Sequence, residues 1–258
     1  MDRPGARASP PSPLHPKLIS FDVFGTLISV REGSYAAFET IVRDAGGGGR
    51  VGIKEFWEHW EERNIAHYWE PYRRYRDICQ LSLAETFAHY GLNGDPALIN
   101  RYFDAFPAFR LFDDVLPTLD TLAKSYRLAI VSNIDDDLLR LTPLARDFDL
   151  VCTAERARGY KPDGTLFKYL MANAQAAFSA DIEDVLHCGQ SQFTDMVGAK
   201  PLGLTVAWVN RRGVALDPAV PRPDYTLRDV ASVQTIVAVG PPVLLTDSKT
   251  NSKVKPST

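Results

Sequence analysis

The chain has 258 residues, 45% of them hydrophobic and 24% charged, the balance of an ordinary globular protein. A formal net charge of -3 with no broad basic stretch argues against a nucleic-acid surface, and no apolar run approaches the ~20 residues needed to cross a bilayer. Cys79, Cys152 and Cys188 are odd in number and far apart, so they make neither a disulfide framework nor a metal-ligand pattern; the expected setting is a reducing cytoplasm.

Residues 1–16 are rich in Pro, Ser and Arg and lack an apolar core of the secretory type, which predicts a disordered tail. Leu18 to Phe21 is a short apolar run that ends abruptly in Asp22, with Gly25 and Thr26 close behind. That pattern predicts a buried parallel strand with an acid at its carboxyl end, where open α/β sheets place their ligands. From 31 to 112 the pattern is helical and aromatic, with helices expected over 35–44, 53–68, 76–90 and 96–106. Ile53, Phe56, Trp57, Trp60, Asn64 and Ile65 fall near one helical face and read as packed core. From 116 onward helices and strands alternate: helix 116–125, strand 128–131, helix 138–145, strand 150–152, helix 165–173, and strands 185–188 and 204–209. Such alternation predicts a doubly wound parallel sheet built from 17–30 and 113–238, with 31–112 inserted after the first strand as a helical cap. Gly240-Pro241-Pro242 and the polar residues beyond predict a second disordered tail over 239–258.

Four positions carry chemistry in this layout. Asp22 is the first. Ser132 and Asn133 follow the second strand, where they either cap the next helix or offer donors to an anion. Lys161, between Tyr160 and Pro162 and just before a helix, is either a solvated charge or a cation placed beside Asp22, where it would help keep that carboxylate ionised. Gly189-Gln190-Ser191-Gln192-Phe193-Thr194-Asp195 closes the set.

Taken in order, Phe21-Asp22-Val23-Phe24-Gly25-Thr26-Leu27, Ser132, Lys161-Pro162 and the Gly189-to-Asp195 run resemble the four motifs of the haloacid dehalogenase (HAD) superfamily. The resemblance implies a HAD-like Rossmannoid core with Asp22 as nucleophile. Phosphatases of that superfamily carry acids where this chain has Phe24 and Gln190, so the branch it resembles is that of the 2-haloacid dehalogenases. That branch implies hydrolysis of (S)-2-haloacids to 2-hydroxy acids through an ester on Asp22, with no metal. Thr26 and Lys161 would hold the Asp22 carboxylate, and Asp195 would orient the hydrolytic water. Ser132 and Asn133 would bind the substrate carboxylate, with Phe24, Gln190 and Gln192 around it. A cap arginine, Arg73 or Arg76 and more remotely Arg63, would receive the halide. Better-known members of the branch have Ser, Asn and Tyr where this chain has Gln190, Gln192 and Phe167. The alternatives are a Mg²⁺-dependent phosphatase and a catalytically silent binding protein of the same fold. The expected partner is a small molecule, and the aromatic cap is compatible with a homodimer.

Overall fold

Period-two burial organises the central sheet. In the computed structural model, which describes residues 12–238, the chain runs β1 (Leu18–Phe21), β2 (Ile28–Ser29), α1 (Arg31–Asp44), α2 (Ile53–His67), α3 (Tyr75–His89), α4 (Asn100–Asp104), β3 (Arg110–Leu111), α5 (Val115–Leu122), β4 (Arg127–Ser132), α6 (Asp136–Leu139), β5 (Leu150–Thr153), α7 (Ala154–Ala157), α8 (Thr165–Phe178), β6 (Val185–Gly189), α9 (Val197–Ala199), β7 (Thr205–Val209) and β8 (Tyr225–Leu227). Ile19 and Phe21 of β1, with Leu128 and Ile130 of β4, join the core that holds α5 and the inserted helices. Leu18, Ala129 and Val131 point the other way and pack with Leu166, Phe167 and Leu170 of α8. Both faces are therefore covered, as a parallel sheet requires, and each fully buried Leu, Ile or Phe contributes about 1.5–3 kcal/mol.

Six strands pair in the order β5-β4-β1-β6-β7-β8, all in parallel. β1 lies between β4 and β6, with Phe21 level with Ile130 on one side and Cys188 on the other. The winding reverses direction at β1, so the crevice at its carboxyl end is the topological switch point. This is the expected doubly wound α/β fold with a helical insertion.

Helices α1 to α4 leave and rejoin the core through one antiparallel ribbon, with Ile28 opposite Leu111 and Ser29 opposite Arg110. Their aromatics mostly turn inward: Phe38, Phe56, Trp60 and Phe106 are buried, and Trp69 is the large side chain of the block that stands out in solvent. A second tie comes from the core. The buried Asp135 carboxylate accepts from the Tyr75 and Arg76 amides at 3.0 and 3.1 Å and so caps α3 from outside its own segment.

Some elements depart from the sequence reading. The helix expected over 138–145 is the single turn α6, because Pro143 has no amide to continue it. The helix expected over 96–106 is α4 flanked by 3₁₀ turns at Pro96–Ile99 and Phe106–Ala108, each with proline in its first turn. β2, β3 and β8 are two or three residues long, too short to show a period. The tail expected over 1–16 is ordered from Leu14, whose amide bonds Ile236 O at 2.8 Å beside an isolated bridge to Val237. The rest of that expectation (1–11) and all of the one over 239–258 lie outside the described residues.

Candidate active site

Asp22 leaves β1 with its amide bonded to Cys188 O at 2.9 Å, so the adjacent strand fixes where its side chain begins. Gly25 then turns the chain at φ +84°, a conformation that favours glycine. The turn returns Thr26 toward Asp22, and its hydroxyl donates to Asp22 Oδ2 at 2.7 Å while accepting from the Gln190 amide at 2.9 Å. Arg211 braces the same turn, donating to Thr26 O and pairing with both oxygens of Asp114.

Lys161 is 2% exposed, and its ammonium lies between two carboxylates, 2.5 Å from Asp22 Oδ1 and 2.8 Å from Asp195 Oδ1. Its backbone is fixed from both sides. Asn133 Oδ1 accepts from the Lys161 amide at 2.9 Å. Gly198 packs so closely that a Cβ there would fall 1.8 Å from Lys161 O. Asp195 sits on a π-helical turn, Gln192–Met196, where its Oδ2 accepts from the Ser191 amide and its Oδ1 also accepts from His187 Nε2 at 3.1 Å. His187 is wholly buried in β6; its Nδ1 lies 3.0 Å from Ser20 Oγ and its ring edge meets Phe167.

These contacts set the charges. Burial opposes ionisation of Asp195, but Lys161 and His187 outweigh it and hold its carboxyl well below the usual carboxylate range. Burial pushes the Asp22 carboxyl up, and the Asp195 charge adds to that push against the pull of Lys161 and Thr26. Burial also works against the Lys161 ammonium, yet the two carboxylates keep its pKa above the ordinary lysine value. One cation thus serves two acids, and Asp22 is the acid left under strain. If Asp22 is the nucleophile, kcat/KM will rise with pH along an acidic limb displaced above the ordinary Asp value of about 3.9. Asp195→Asn will move that limb downward, because it removes the like charge and leaves Lys161 to Asp22; a pH–rate profile of both proteins measures this.

A cavity of about 510 Å³ opens over Asp22 and Lys161. Phe24, Ser132, Asn133, Gln190 and Gln192 all line it, with the inserted helices as the opposite wall. Gln192 is also structural. Its side-chain amide donates to Ala215 O and accepts from the Asp217 amide, so it staples the loop after β7 to the site. The cap arginines expected to reach the cavity do not line it. Arg73 pairs with Glu70, and Tyr160 holds its carbonyl. Arg76 is drawn to Asp137 at 2.8 Å and lies over Phe103. Arg63 is bonded to Glu85 at 2.6 Å. The arginines that line the cavity are instead Arg31, at the start of α1, and Arg211 and Arg212, in the loop after β7, of which Arg211 is already paired with Asp114. None of these positions carried a local signal in the sequence.

The oxygens of Asp22 and Asp195 are the hard donors nearest the floor of the cavity. Here all four accept hydrogen bonds from protein donors, and the shared place between the two side chains is held by the Lys161 ammonium. Among the described residues no three His, Cys, Asp or Glu side chains gather as a metal-ligand cluster.

A family model for haloacid dehalogenase-like hydrolases matches residues 16–203. The chain is 24% identical over 231 residues to haloacetate dehalogenase H-2 of Moraxella sp. (strain B), covering 86% of this chain and 97% of that protein. It is 25% identical over 231 residues to an (S)-2-haloacid dehalogenase of Pseudomonas sp. (strain YL), covering 86% and 93%. Its fold is similar to that of L-2-haloacid dehalogenase from Xanthobacter autotrophicus, with TM-score 0.68, 22% identity and coverage of 84% and 96%. A HAD phosphatase from Thermococcus onnurineus is also similar in fold, with TM-score 0.58, 23% identity and coverage of 85% and 97%, so the fold alone does not choose a reaction.

Proposed function

The chain belongs to the haloacid dehalogenase-like hydrolases, and from that premise we propose that it hydrolyses the carbon–halogen bond of 2-haloacids, (S)-configured at the reacting carbon, without a divalent metal. The observation that carries this reading is that Phe24 and Gln190, at the two positions where phosphatases of the superfamily carry acids, both line the cavity beside Asp22 and Lys161. A phosphate ester brings two negative charges to an anionic nucleophile and calls for a metal between them. A haloacid brings one carboxylate, and fixed protein donors are enough.

Asp22 attacks the halogen-bearing carbon from the face opposite the halogen. The carbon–halogen bond breaks as the new C–O bond forms, halide leaves with inversion, and an ester on Asp22 remains. Water then adds to the Asp22 carboxyl carbon and expels the 2-hydroxy acid; one proton is released with the halide over the whole cycle. Asp195, held well below the carboxylate range, orients that water. Ser132 and Asn133, at the carboxyl end of β4, receive the substrate carboxylate. The halide departs toward Arg31 and Arg212, which take the place expected of Arg73 and Arg76.

Halide release from chloro-, bromo- and fluoroacids, measured beside simple phosphate esters and with and without EDTA, tests the reading. The expected result is halide release that chelation leaves unchanged, with the S enantiomer consumed. Turnover of phosphate esters alone, abolished by EDTA, overturns it in favour of a magnesium-dependent phosphatase.

A further inference from the structure

Two buried polar side chains that the reaction does not use lie beneath the site. Ser20 and His187 are wholly buried and level with each other across the β1–β6 pair, and Ser20 Oγ lies 3.0 Å from His187 Nδ1. On the other side of the ring, Nε2 lies 3.1 Å from Asp195 Oδ1. That same oxygen accepts from Lys161 Nζ at 2.8 Å, and Lys161 Nζ also bonds Asp22 Oδ1. The run Ser20–His187–Asp195–Lys161–Asp22 therefore departs from β1 and comes back to the chain two residues further on, so one strand pins both of its ends. An ionised carboxylate accepts and cannot donate, so Nε2 carries a proton toward Asp195. In the neutral ring Nδ1 is then the acceptor and the Ser20 hydroxyl its donor. Phe167 meets the ring edge-on, 4.8 Å between centroids, and closes another side of it.

We propose that His187 is a positioning residue for the reaction: it shares the charge of Asp195 with Lys161, and so keeps the ammonium between the two acids instead of drawn onto Asp195 alone. Asp195 Oδ2 is occupied by the Ser191 amide, which leaves Lys161 and His187 as the two donors on Oδ1. Charge-assisted bonds to one oxygen compete, and each weakens the hold of the other. With the ring donor gone, Asp195 pulls on Lys161 unshared, and the charged bond that orients Asp22 Oδ1 lengthens. A displacement of that kind acts on the chemical steps, where about 1 Å can cost 10²-fold in rate. It leaves substrate affinity alone, because Ser132 and Asn133 belong to the end of β4, on the opposite side of β1 from β6. The proposal rests on the dehalogenation reading and adds to it a residue that touches neither substrate nor water.

Two measurements on the full chain test it. The first is halide release from (S)-2-bromopropanoate by the wild type, His187→Phe, which keeps a ring against Phe167 but has no donor, and His187→Gln, which keeps an N–H. The expected result is a kcat about 10- to 100-fold lower in His187→Phe with KM within about threefold, and a kcat within about fivefold of wild type in His187→Gln. An unchanged kcat in His187→Phe, a loss that appears in KM alone, or a His187→Gln variant as slow as His187→Phe overturns the role. The second is ¹⁵N NMR of protein labelled at histidine, with the His187 signal identified by its loss in His187→Gln. The expected result is a ring protonated at Nε2 and not at Nδ1, whose signal shifts when Asp22→Asn removes the charge at the far end of the run. A proton on Nδ1 alone, or a signal that Asp22→Asn leaves in place, overturns the role, and this arm decides if His187→Phe does not fold. No halide from the wild type, with the ring still answering to Asp22→Asn, rejects the dehalogenation reading and keeps the linkage; halide release that His187→Phe leaves unchanged rejects the positioning role alone.

Discussion

Lys161→Met is expected to lower the free energy of unfolding by about 3–5 kcal/mol, the cost of removing one partner from a buried ion pair. The reason lies in the geometry. Asp22 Oδ1 and Asp195 Oδ1 both bond the same nitrogen, and both residues are at most 5% exposed, so without the ammonium two buried carboxylates face each other with little solvent to screen them. A loss of that size is a large share of the roughly 5–15 kcal/mol of a typical domain and corresponds to a fall in Tm of roughly 6–20 °C. Adding Asp22→Asn to Lys161→Met removes one of the opposed charges and should recover a substantial part of the loss, a non-additivity that a double-mutant cycle reads directly. Chemical denaturation of the four proteins checks it. Equal stability of Lys161→Met and wild type would show that the ammonium is not what holds the two acids together.

Asp22→Asn alone should separate function from stability. Turnover is expected to fall by at least about 10⁴-fold, because the amide cannot form the covalent intermediate. Stability should be unchanged or higher. Asp22 has a folded pKa above its unfolded value, so the folded state binds its proton more tightly, and keeping it ionised at neutral pH costs stability that an amide does not. A single turnover in ¹⁸O water followed by mass measurement of the peptide containing residue 22 gives the independent check. Label should enter Asp22 in the wild type; its absence during full turnover would mean that water attacks the substrate directly.

The residues nearest the reaction were legible because each is announced by local chemistry: Asp22 by an acid closing an apolar strand, Thr26 by the glycine turn before it, and Lys161 by the proline that follows and the helix start that positions it. Ordered along the chain, they matched a family pattern. What could not be read depends on distant partners. Arg76 sits beside tyrosine in a cap segment, as expected of a halide receiver, yet Asp137, 61 residues away, claims it. Gln192 falls in a catalytic motif and spends its amide on the loop at 215–217. Trp57 and Asn64 share the period of a core stripe, and periodicity does not distinguish a face packed on side chains from one that borders a cavity. His187 had one signal that could have been used, an ionisable ring in the middle of an apolar strand. Burial of that kind calls for a polar partner, and Asp195 supplies it.

The four helices of the insertion hang from the rest of the chain by a ribbon two residues wide on each side. Asp22, Thr26, Lys161 and Asp195 are all anchored below that ribbon, and the α2 residues that line the cavity lie above it. Under the proposed reaction, changes in α2 would reshape one wall of the cavity while leaving those four side chains in place, so accepted compounds could drift without any rebuilding of the chemistry.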